Sequence, residues 1–528
     1  MDERKPEGAI DRRQFLRMSA TAAGAAAIAM PDWGNIAVAA TGHLKAGLIG
    51  FSVVNTLDPQ VASLNSDFWA ITGMYNALFK FNGATGKLEP DLCESFNVEN
   101  NNTTLTFKLR RGVKFHNGDE MTATDVKFSI DRVRGDDSKS MNKGKFAVVA
   151  STEAVDKYTF KLVLKEPFVP ILMFLHNGIT GSQVISKRAF EQMGAEQFGK
   201  TPVGTGPFRI KEWRVGERII MEAHKDYFIK GEPKSALCDI VLISDEPAGG
   251  QALLAGDIHI ASTVPFADAA NLEKNAAVKL SRVPGANCRW VALNNQKAPF
   301  DDVFFRRAIS MASNREAVVK AAIFGEGSPM WGITPPMFKE AYSTTPRDVC
   351  VFNPERARAE MAKGKYKAGT EAVFQTWPGA WWKRWMEIFV ANANQVLGTK
   401  FTLEVAEQNT VVNNYRAGNF QGLVWGWIGR VELDEYVGEC FQTGHSRNLN
   451  KYSNPKVDEF IAAGRKEFDP VKRGALYRQA EDIVVEEAVN VFYLNNNAHS
   501  MWRTGVQGWV PTPGQHLASH LGSVAIPS

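Results

Sequence analysis

The residues from Tyr75 to Val133, YNALFKFNGATGKLEPDLCESFNVENNNTTLTFKLRRGVKFHNGDEMTATDVKFSIDRV, predict a strand, a hairpin and a helix in succession. Leu105, Phe107 and Leu109 alternate with polar residues, which is the period of a half-buried strand. The segment therefore predicts a mixed α/β unit near the beginning of the chain.

A tight turn and a helix follow this strand. Val113 and Phe115 alternate with polar neighbours in a second short strand, and Gly118 supplies the positive φ of a turn. Thr122 can cap a helix, with Asp125 three residues further on. The apolar residues that then recur at helical spacing are Val126, Ile130 and Val133.

The segment resembles the N-terminal block of the substrate-binding proteins that serve ABC importers of dipeptides, oligopeptides, opines and nickel chelates. Its motifs are Phe115-His116-Asn117-Gly118 and Thr122-Ala123-Thr124-Asp125-Val126, and we expect them to have structural roles. Further blocks of the family follow in order and cover most of the chain after Leu57. They are Val203-Gly204-Thr205-Gly206-Pro207-Phe208, Lys225-Asp226-Tyr227-Phe228, Pro299-Phe300, Arg306-Arg307-Ala308, Asn314-Arg315 and Tyr452-Ser453-Asn454-Pro455.

The first forty residues have the form of an export signal. Arg12-Arg13 precedes a weakly hydrophobic, alanine-rich run from Met18 to Met30, and Ala37-Val38-Ala39 offers small residues for cleavage. The run is shorter than the roughly 20 apolar residues that span a bilayer. We expect a twin-arginine signal peptide over residues 1–40. Because the first cysteine is Cys93, we expect a free periplasmic protein without a lipid anchor.

Length and charge limit the class of protein. A chain of 528 residues with 44% hydrophobic residues can bury more than one core, so we expect more than one domain. The formal net charge is only +4, and no run of like charges stands out. We expect a monomer with no nucleic-acid partner.

Metal and redox motifs are weak. Five cysteines lie too far apart for a CxxC motif, so we expect most of them to be buried and free. His516 and His520 are four residues apart, as metal ligands on a helix would be, but no glutamate lies between them, and Pro511 and Pro513 predict an irregular tail. We expect no metal and no cofactor.

Catalytic motifs are absent from the sequence. We find no GxSxG elbow, no GxxxxGK[ST] phosphate loop and no HExxH helix. Gly204-Thr205-Gly206 is followed by Pro207 and lacks a third glycine, so it predicts a structural turn. A binding protein requires only a pocket and a few converging polar groups. We therefore expect no enzymatic activity.

The fold class follows from strands that alternate with helices. Short apolar strands are predicted at Ile240–Ile243, Val291–Leu293, Ala372–Thr376, Gly422–Trp427 and Val491–Leu494. The resemblance implies a two-lobed, hinge-linked periplasmic binding protein fold of α/β class with an extra N-terminal subdomain. We place lobe I at 41–293 plus 496–528, its subdomain at roughly 91–200, and lobe II at 294–495. The hinge crossings are expected near Trp290–Asn294 and Leu494–Ala498.

The resemblance also implies a ligand cleft between the lobes, lined by loops that leave the carboxyl ends of strands. In peptide-binding relatives, an aspartate three residues after a glycine-tryptophan strand end holds the ligand's α-ammonium group. Aligning on Gly426-Trp427 places Arg430 there. An arginine repels an ammonium and suits a carboxylate. Asp434 could substitute for the aspartate if the loop is shifted.

The candidate residues are divided between the lobes. They are Arg430, Trp427, Trp425 and Trp377 in lobe II, and Phe68 and Asn65 in lobe I. For Trp425 and Trp427, which share a strand face, core burial and ligand contact both remain open. A salt bridge is the alternative role for Arg430. We assign the residues that recur at helical spacing to the core: Trp382, Trp385, Met386, Phe389, Ala393 and Val396.

These observations predict a receptor that captures a peptide-like or opine-like, carboxylate-bearing solute and delivers it to an inner-membrane ABC permease. One alternative is a nickel or metal-chelate receptor of the same fold. Another is a secreted hydrolase that uses Glu432, Asp434 and Glu435 as paired carboxylates, although acids clustered in one loop are usually solvated. A third alternative is a sensory role, in which the ligand-loaded protein docks on a chemoreceptor.

Overall fold

The computed structural model describes residues 42–82, 87–178, 180–514 and 521–526. The chain forms two compact units. The first runs to Ser281 and resumes at His499, and the second spans Arg282–Ala498. The signal peptide expected at 1–40 and the pair His516 and His520 lie outside the described residues.

The first unit combines strands and helices. Its strands are β1 (His43–Ile49), β2 (Phe79–Asn82), β3 (Lys87–Pro90), β4 (Cys93–Glu99), β5 (Thr104–Leu109), β6 (Val149–Asp156), β7 (Thr159–Leu164), β8 (Phe208–Arg214), β9 (Arg218–Ala223), β10 (Leu237–Ile243), β11 (Ile260–Ala261) and β12 (Val278–Pro284), in which the unit ends. Its helices are α1 (Asn65–Ile71), α2 (Ala123–Arg134), α3 (Lys187–Phe198), α4 (Glu246–Ala255) and α5 (Ala269–Leu272), with 3₁₀ turns at Lys143–Phe146, Val169–Leu175 and Leu521–Ser523.

Parallel pairing organises the main sheet of this unit. β1 pairs in parallel with β10 and β11, while β10, β9 and β8 form antiparallel pairs. The strand predicted at Ile240–Ile243 lies in β10 and is confirmed. One core cluster of the unit contains Ile49, Leu253, Ile258, Val264, Leu272 and Met501.

The strand and helix predicted from the deciding segment are confirmed. β5 contains the buried residues Leu105, Phe107 and Leu109, and it pairs with β4 and β7 in an antiparallel sheet. Helix α2 begins after Thr122, whose N–H donates to Asp125 Oδ2 over 2.9 Å. Its buried face includes Val126, Ile130 and Val133.

The turn after β5 is present, but the second strand is not. Gly118 has a φ of 89°, as predicted. The N–H of Phe115 donates to the Asp119 carbonyl over 2.8 Å, and an isolated bridge joins Lys114 to Glu120. The hairpin is too short to extend this pairing into a regular strand.

His116 joins this hairpin to the glycine-rich block. Its Nδ1 accepts the Gly204 N–H over 3.3 Å, and its Nε2 donates to the Gly206 carbonyl over 3.0 Å, so the neutral ring satisfies both groups. A Cβ at Gly206 would lie 2.3 Å from the carbonyl carbon of Met74, so the block requires glycine there. The two motifs therefore form one structural joint.

The second unit contains the remaining elements. Its strands are β13 (Asn287–Leu293), β14 (Gly327–Pro329), β15 (Glu371–Thr376), β16 (Lys400–Val405), β17 (Gly422–Ile428) and β18 (Asn490–Arg503), in which the unit ends. Its helices are α6 (Val303–Met311), α7 (Arg315–Ala322), α8 (Pro354–Lys363), α9 (Ala380–Leu397), α10 (Gln408–Ala417), α11 (Gly438–Phe441), α12 (Pro455–Lys466) and α13 (Pro470–Glu486), with 3₁₀ turns at Asp348–Cys350 and Leu433–Glu435.

The sheet of the second unit follows the order β16-β15-β17-β13-β18. β15 pairs in parallel with β16 and β17, and β13 pairs antiparallel with β17 and β18. The apolar strands predicted in this part of the chain are confirmed as parts of β13, β15, β17 and β18. Helix α9 packs against β15 and β16.

The chain passes from one unit to the other within β12 and β18. The unit boundaries fall after Ser281 and after Ala498, whereas the boundaries expected from the sequence fall after 293 and 495. The apolar run Trp290–Leu293, expected at a crossing, lies inside β13, where β17 and β18 flank it on both sides.

All five cysteines lie in the described part of the chain, and each is free and buried, as expected. Burial raises the pKa of the Cys93 and Cys440 thiols to about 12, so these side chains act as small apolar groups. Among the described residues, no helix combines the length and apolar character needed to cross a membrane.

Replacing His116 with phenylalanine tests the joint. Burial lowers the pKa of His116 from its usual 6.5 to about 3. A depressed histidine pKa contributes stability that is present above pH 6.5 and lost as the pH falls toward 3. At pH 7.5, His116→Phe should destabilise the protein by about 2 to 4 kcal/mol, because two backbone groups lose their partner.

At pH 4.5 the wild type alone loses the histidine contribution, by about 2 to 3 kcal/mol. The difference in unfolding free energy between wild type and His116→Phe should therefore shrink at the lower pH. Urea denaturation at both pH values measures it, and an equal difference at both would contradict a neutral His116.

Candidate functional site

The carboxyl ends of two parallel strands meet at one edge of the sheet in the second unit. β15 and β17 run in parallel, with Phe374 paired to Gly422. Trp377 follows the end of β15, and Arg430 follows the end of β17. Ligands of α/β proteins bind at this kind of edge. We therefore take the residues at the ends of β15 and β17 as the candidate site.

The rings of Trp425 and Trp427 point to the same face of β17. Both are half-buried. Trp425 packs edge-on against Tyr415, with 4.6 Å between ring centroids, and lies 6.1 Å from Trp377. Trp377 itself is half-buried and lies 4.7 Å from Trp382. Part of this aromatic surface is thus accessible.

Trp427 is held within its own unit. Its Nε1 donates to the Cys440 Sγ over 2.7 Å. The guanidinium carbons of Arg430 and Arg447 lie 5.5 and 5.4 Å from its ring centroid. These contacts fix the ring and cover much of it.

Arg430 is also buried, with 6% of its surface exposed. Its Nη1 lies 3.3 Å from Oε1 of Glu435. Its Nε has no hydrogen-bond partner among the residues that the structure describes. Arg430 therefore has one anionic partner within the unit and retains unused donor capacity.

The acidic loop after β17, which contains Glu432, Asp434 and Glu435, is buried. This corrects the expectation that its carboxylates are solvated. Within the described segment 430–473, each acid of the loop pairs with an arginine: Arg430 with Glu435, Arg447 with Glu439, Arg465 with Asp434, and Arg473 with Glu432. Burial raises the pKa of Glu432, and Arg473 opposes that rise. Buried ionised groups require such partners.

The Asp434 carboxylate is buried and engaged by side chains of its own unit. Arg465 binds it bidentately, with Nε to Oδ1 at 2.8 Å and Nη2 to Oδ2 at 3.0 Å. The Tyr477 hydroxyl donates to the same carboxylate over 2.8 Å. Only 2% of the Asp434 surface is exposed. The geometry gives Asp434 a structural role.

Arg289 also lies at this edge, although it is not among the candidates predicted from the sequence. It lies in β13 opposite Gly426, and only 6% of its surface is exposed. Its Nε donates to Asn496 Oδ1 over 3.0 Å. Burial lowers its pKa to about 10, which leaves it charged at neutral pH. An arginine next to the apolar run Trp290–Leu293 was the available signal, because arginine is rarely buried without a partner.

Trp382 differs from the rest of the predicted helical stripe. Trp385, Met386, Phe389, Ala393 and Val396 are buried, as expected. Trp382 is half-buried instead, and the guanidinium carbon of Arg289 lies 4.9 Å from its ring centroid. Trp382 lies in the first turn of helix α9, near the carboxyl edge of the sheet, where its ring covers the guanidinium of Arg289 instead of entering the core.

The lobe I candidates occupy helix α1 of the first unit. Asn65 is half-buried, whereas Phe68 has only 5% of its surface exposed. The neighbouring Asp67 is fully buried and accepts the N–H groups of Asn55 and Leu64 over 2.8 and 3.0 Å. Asp67 therefore fixes the start of the helix.

No cluster of three or more histidine, cysteine or carboxylate side chains suited to a metal occurs in the described part of the chain. The acids nearest the strand end already have arginine partners. The site instead offers aromatic rings and guanidinium groups, which suit an anionic organic solute.

Comparison with known proteins assigns the family. A model of the bacterial extracellular solute-binding proteins, family 5 (Middle), matches residues 87–446. The chain belongs to this family. The resemblance inferred from the sequence motifs is thereby confirmed.

Relatives of this solute-binding protein include glutathione-binding proteins. GsiB of Escherichia coli (strain K12) is 29% identical over 455 residues, which cover 82% of this chain and 85% of that protein. GsiB of Shigella flexneri has the same identity and coverage.

Solved structures confirm the two-lobed periplasmic binding protein fold. AgaA from A. tumefacien R10, in complex with agropinic acid, has a TM-score of 0.82 and 24% identity, with 92% of this chain and 99% of AgaA covered. DppA from Helicobacter pylori, in complex with the peptide STSA, has a TM-score of 0.82 and 22% identity, with 92% and 98% covered.

Family membership defines the class of activity. The protein is an extracellular solute-binding protein of family 5, so its activity is to bind a solute. The matched relatives GsiB and DppA are likewise binding proteins.

Replacing Arg465 with alanine tests whether the buried ion pairs fix the loop after β17. The substitution leaves Asp434 buried without its bidentate partner, so we expect a loss of about 3 to 5 kcal/mol of unfolding free energy. The matched control is Lys456→Ala in the same helix, since Lys456 forms an exposed pair with Glu459 and should contribute little. Chemical denaturation compares the two, and similar losses would contradict a structural role for Asp434.

Proposed function

We propose that this protein captures a carboxylate-bearing, peptide-like solute in the periplasm and passes it to an inner-membrane ABC permease. The supporting observation is its 29% identity to glutathione-binding proteins over 82% of the chain. Glutathione is a tripeptide with two free carboxylates, and it therefore has the acidic, peptide-like character that we infer for the solute.

We propose that the solute contacts Arg430, Trp427, Trp425 and Trp377 of the second unit and Phe68 and Asn65 of the first. Arg430 has a buried Nε without a partner in the described chain. Trp425 and Trp377 offer half-buried rings for apolar or thioether groups. Where peptide-binding relatives carry an aspartate, an arginine favours an acidic group over a free ammonium.

No observation favours the rival functions. The hydrolase alternative needs available carboxylates, but Glu432, Asp434 and Glu435 are engaged by arginines. The metal-chelate alternative finds no ligand cluster among the described residues. We further propose that the protein acts as a monomer.

We also propose export through the twin-arginine pathway, because Arg12-Arg13, an apolar run and a small-residue cleavage site occur in the required order. This pathway transports folded proteins. Folding before export would allow the buried ion pairs to form and the free thiols to become buried in the cytoplasm.

Ligand-induced stabilisation tests the proposed solute class. A ligand at one hundred times its dissociation constant adds about 2.7 kcal/mol of stability. In thermal-shift assays of residues 41–528, acidic peptide-like compounds, including glutathione, should raise the melting temperature, and nickel chelates should not. Stabilisation by free-amine neutral peptides alone would contradict the carboxylate preference.

The double variant Arg430→Gln/Glu435→Gln tests Arg430 separately. It removes both charges of the buried pair, so stability should stay near that of the wild type. The melting-temperature shift produced by the acidic ligand should fall. The exposed Arg356→Gln serves as a control, and an undiminished shift in the double variant would contradict ligand binding by Arg430.

Replacing Arg12 and Arg13 with lysine tests the export route. The paired lysines keep the charge but lose the twin-arginine motif, so the protein should remain in the cytoplasm. Arg17→Lys, outside the pair, should be exported normally. Immunoblots of periplasmic and cytoplasmic fractions measure the outcome, and normal export of the double-lysine variant would contradict this route.

A further inference from the structure

Arg289 carries a buried positive charge that the protein does not neutralise. No carboxylate among the described residues forms an ion pair with it. Its described hydrogen bond is the one from Nε to Asn496 Oδ1, at 3.0 Å. A buried charge without a partner is strongly unfavourable, so this environment requires a further explanation.

Other buried arginines of the second unit have either a carboxylate partner or several carbonyl partners. Arg315 donates to the carbonyls of Phe492, Ser310, Ser313 and Cys350. The arginines beside the acidic loop each have a carboxylate partner. Arg289 therefore differs from these arginines, because its described partner is a single amide oxygen rather than a carboxylate or a set of carbonyls.

The unused donors of Arg289 are its two Nη groups. They make no hydrogen bond to the described chain, and they are not fully sealed from solvent. The Nε side of the guanidinium is taken by Asn496, so the edge formed by Nη1 and Nη2 remains. This edge can donate two parallel hydrogen bonds to a planar carboxylate.

The surroundings hold the guanidinium in a fixed position. A Cβ at Gly426 would lie 2.7 Å from Cδ and 2.8 Å from Nη1 of Arg289, so the glycine leaves room for the side chain to cross β17. On the other side, the guanidinium carbon lies 4.9 and 5.7 Å from the ring centroids of Trp382 and Trp381. These two rings stack on each other at 3.9 Å.

We propose that Arg289 is a specificity-determining residue that binds a free carboxylate of the solute through Nη1 and Nη2. Trp382 covers the apolar part of the solute next to that carboxylate. Arg289 is thus the residue whose charge the ligand neutralises, whereas Arg430 already has Glu435. This inference rests on the proposed function and names the chemical group recognised at that site.

Paired probes test the inference. Isothermal titration calorimetry of residues 41–528 compares glutathione with two analogues, in which either the glycyl carboxylate or the γ-glutamyl α-carboxylate is replaced by a carboxamide. A second pair is a neutral free-acid dipeptide and its C-terminal amide. Wild type, Arg289→Gln and Arg289→Lys are compared, with Arg384→Gln as the matched control, because Arg384 is an exposed arginine of helix α9.

Arg289→Gln should weaken binding of the free acid roughly 10- to 100-fold, as expected for lost charge-assisted hydrogen bonds. Arg289→Gln should not change the affinity for the glutathione analogue in which the carboxylate bound by Arg289 is already a carboxamide. Arg289→Lys keeps the charge without the planar fork and should fall between wild type and Arg289→Gln. Arg384→Gln should bind like the wild type, and circular dichroism verifies that each variant is folded.

The outcomes separate the two claims. If Arg289→Gln binds free acids like the wild type, or weakens acids and amides equally, the role of Arg289 is overturned and the receptor function stands. If the wild type prefers the carboxamides, the carboxylate assignment is likewise overturned. If the wild type binds none of the probes, the proposed solute class fails, and this inference fails with it.

Discussion

The second unit depends on the pairing of buried charges. Glu432, Asp434, Glu435 and Glu439 lie in a short stretch after β17, and burial of these acids would be unfavourable without partners. Arginines from the loop and from helices α12 and α13 supply them. These pairs tie the end of β17 to two helices far along the chain. The strand end that presents Trp425 and Trp427 is therefore held in place before any solute arrives.

The same constraint distinguishes the two arginines near the carboxyl edge. Arg430 has Glu435 as an internal counter-ion, so its charge is already balanced. Arg289 has an asparagine and two tryptophan rings, which orient the guanidinium without neutralising it. A receptor gains affinity when its own charge lacks a partner until the ligand binds. The free-energy cost of removing that charge from water has then already been incurred during folding. The absence of a carboxylate partner thus favours Arg289 as the anion site, whereas the alignment of the sequence had pointed to Arg430.

Close backbone approach is the corresponding constraint in the first unit. Gly206 packs against the backbone of Met74, and His116 bridges the hairpin to this block. Neither contact needs a ligand, and both explain why these residue types occur. In the second unit, Gly426 serves a related purpose by leaving space for Arg289. Glycines at these positions therefore have identifiable packing roles.

The sequence by itself determined the local elements and the family. The alternation at Leu105, Phe107 and Leu109 and the cap at Thr122 depend on neighbouring residues, so the pattern predicted β5 and the start of α2 correctly. Only the tertiary structure decided which charges are paired. Asp434 meets Arg465 and Arg289 meets Trp382 across many intervening residues, and no local pattern encodes such contacts. For this reason the acidic loop was expected in solvent and Trp382 in the core, whereas packing buried the loop and placed Trp382 over a charge.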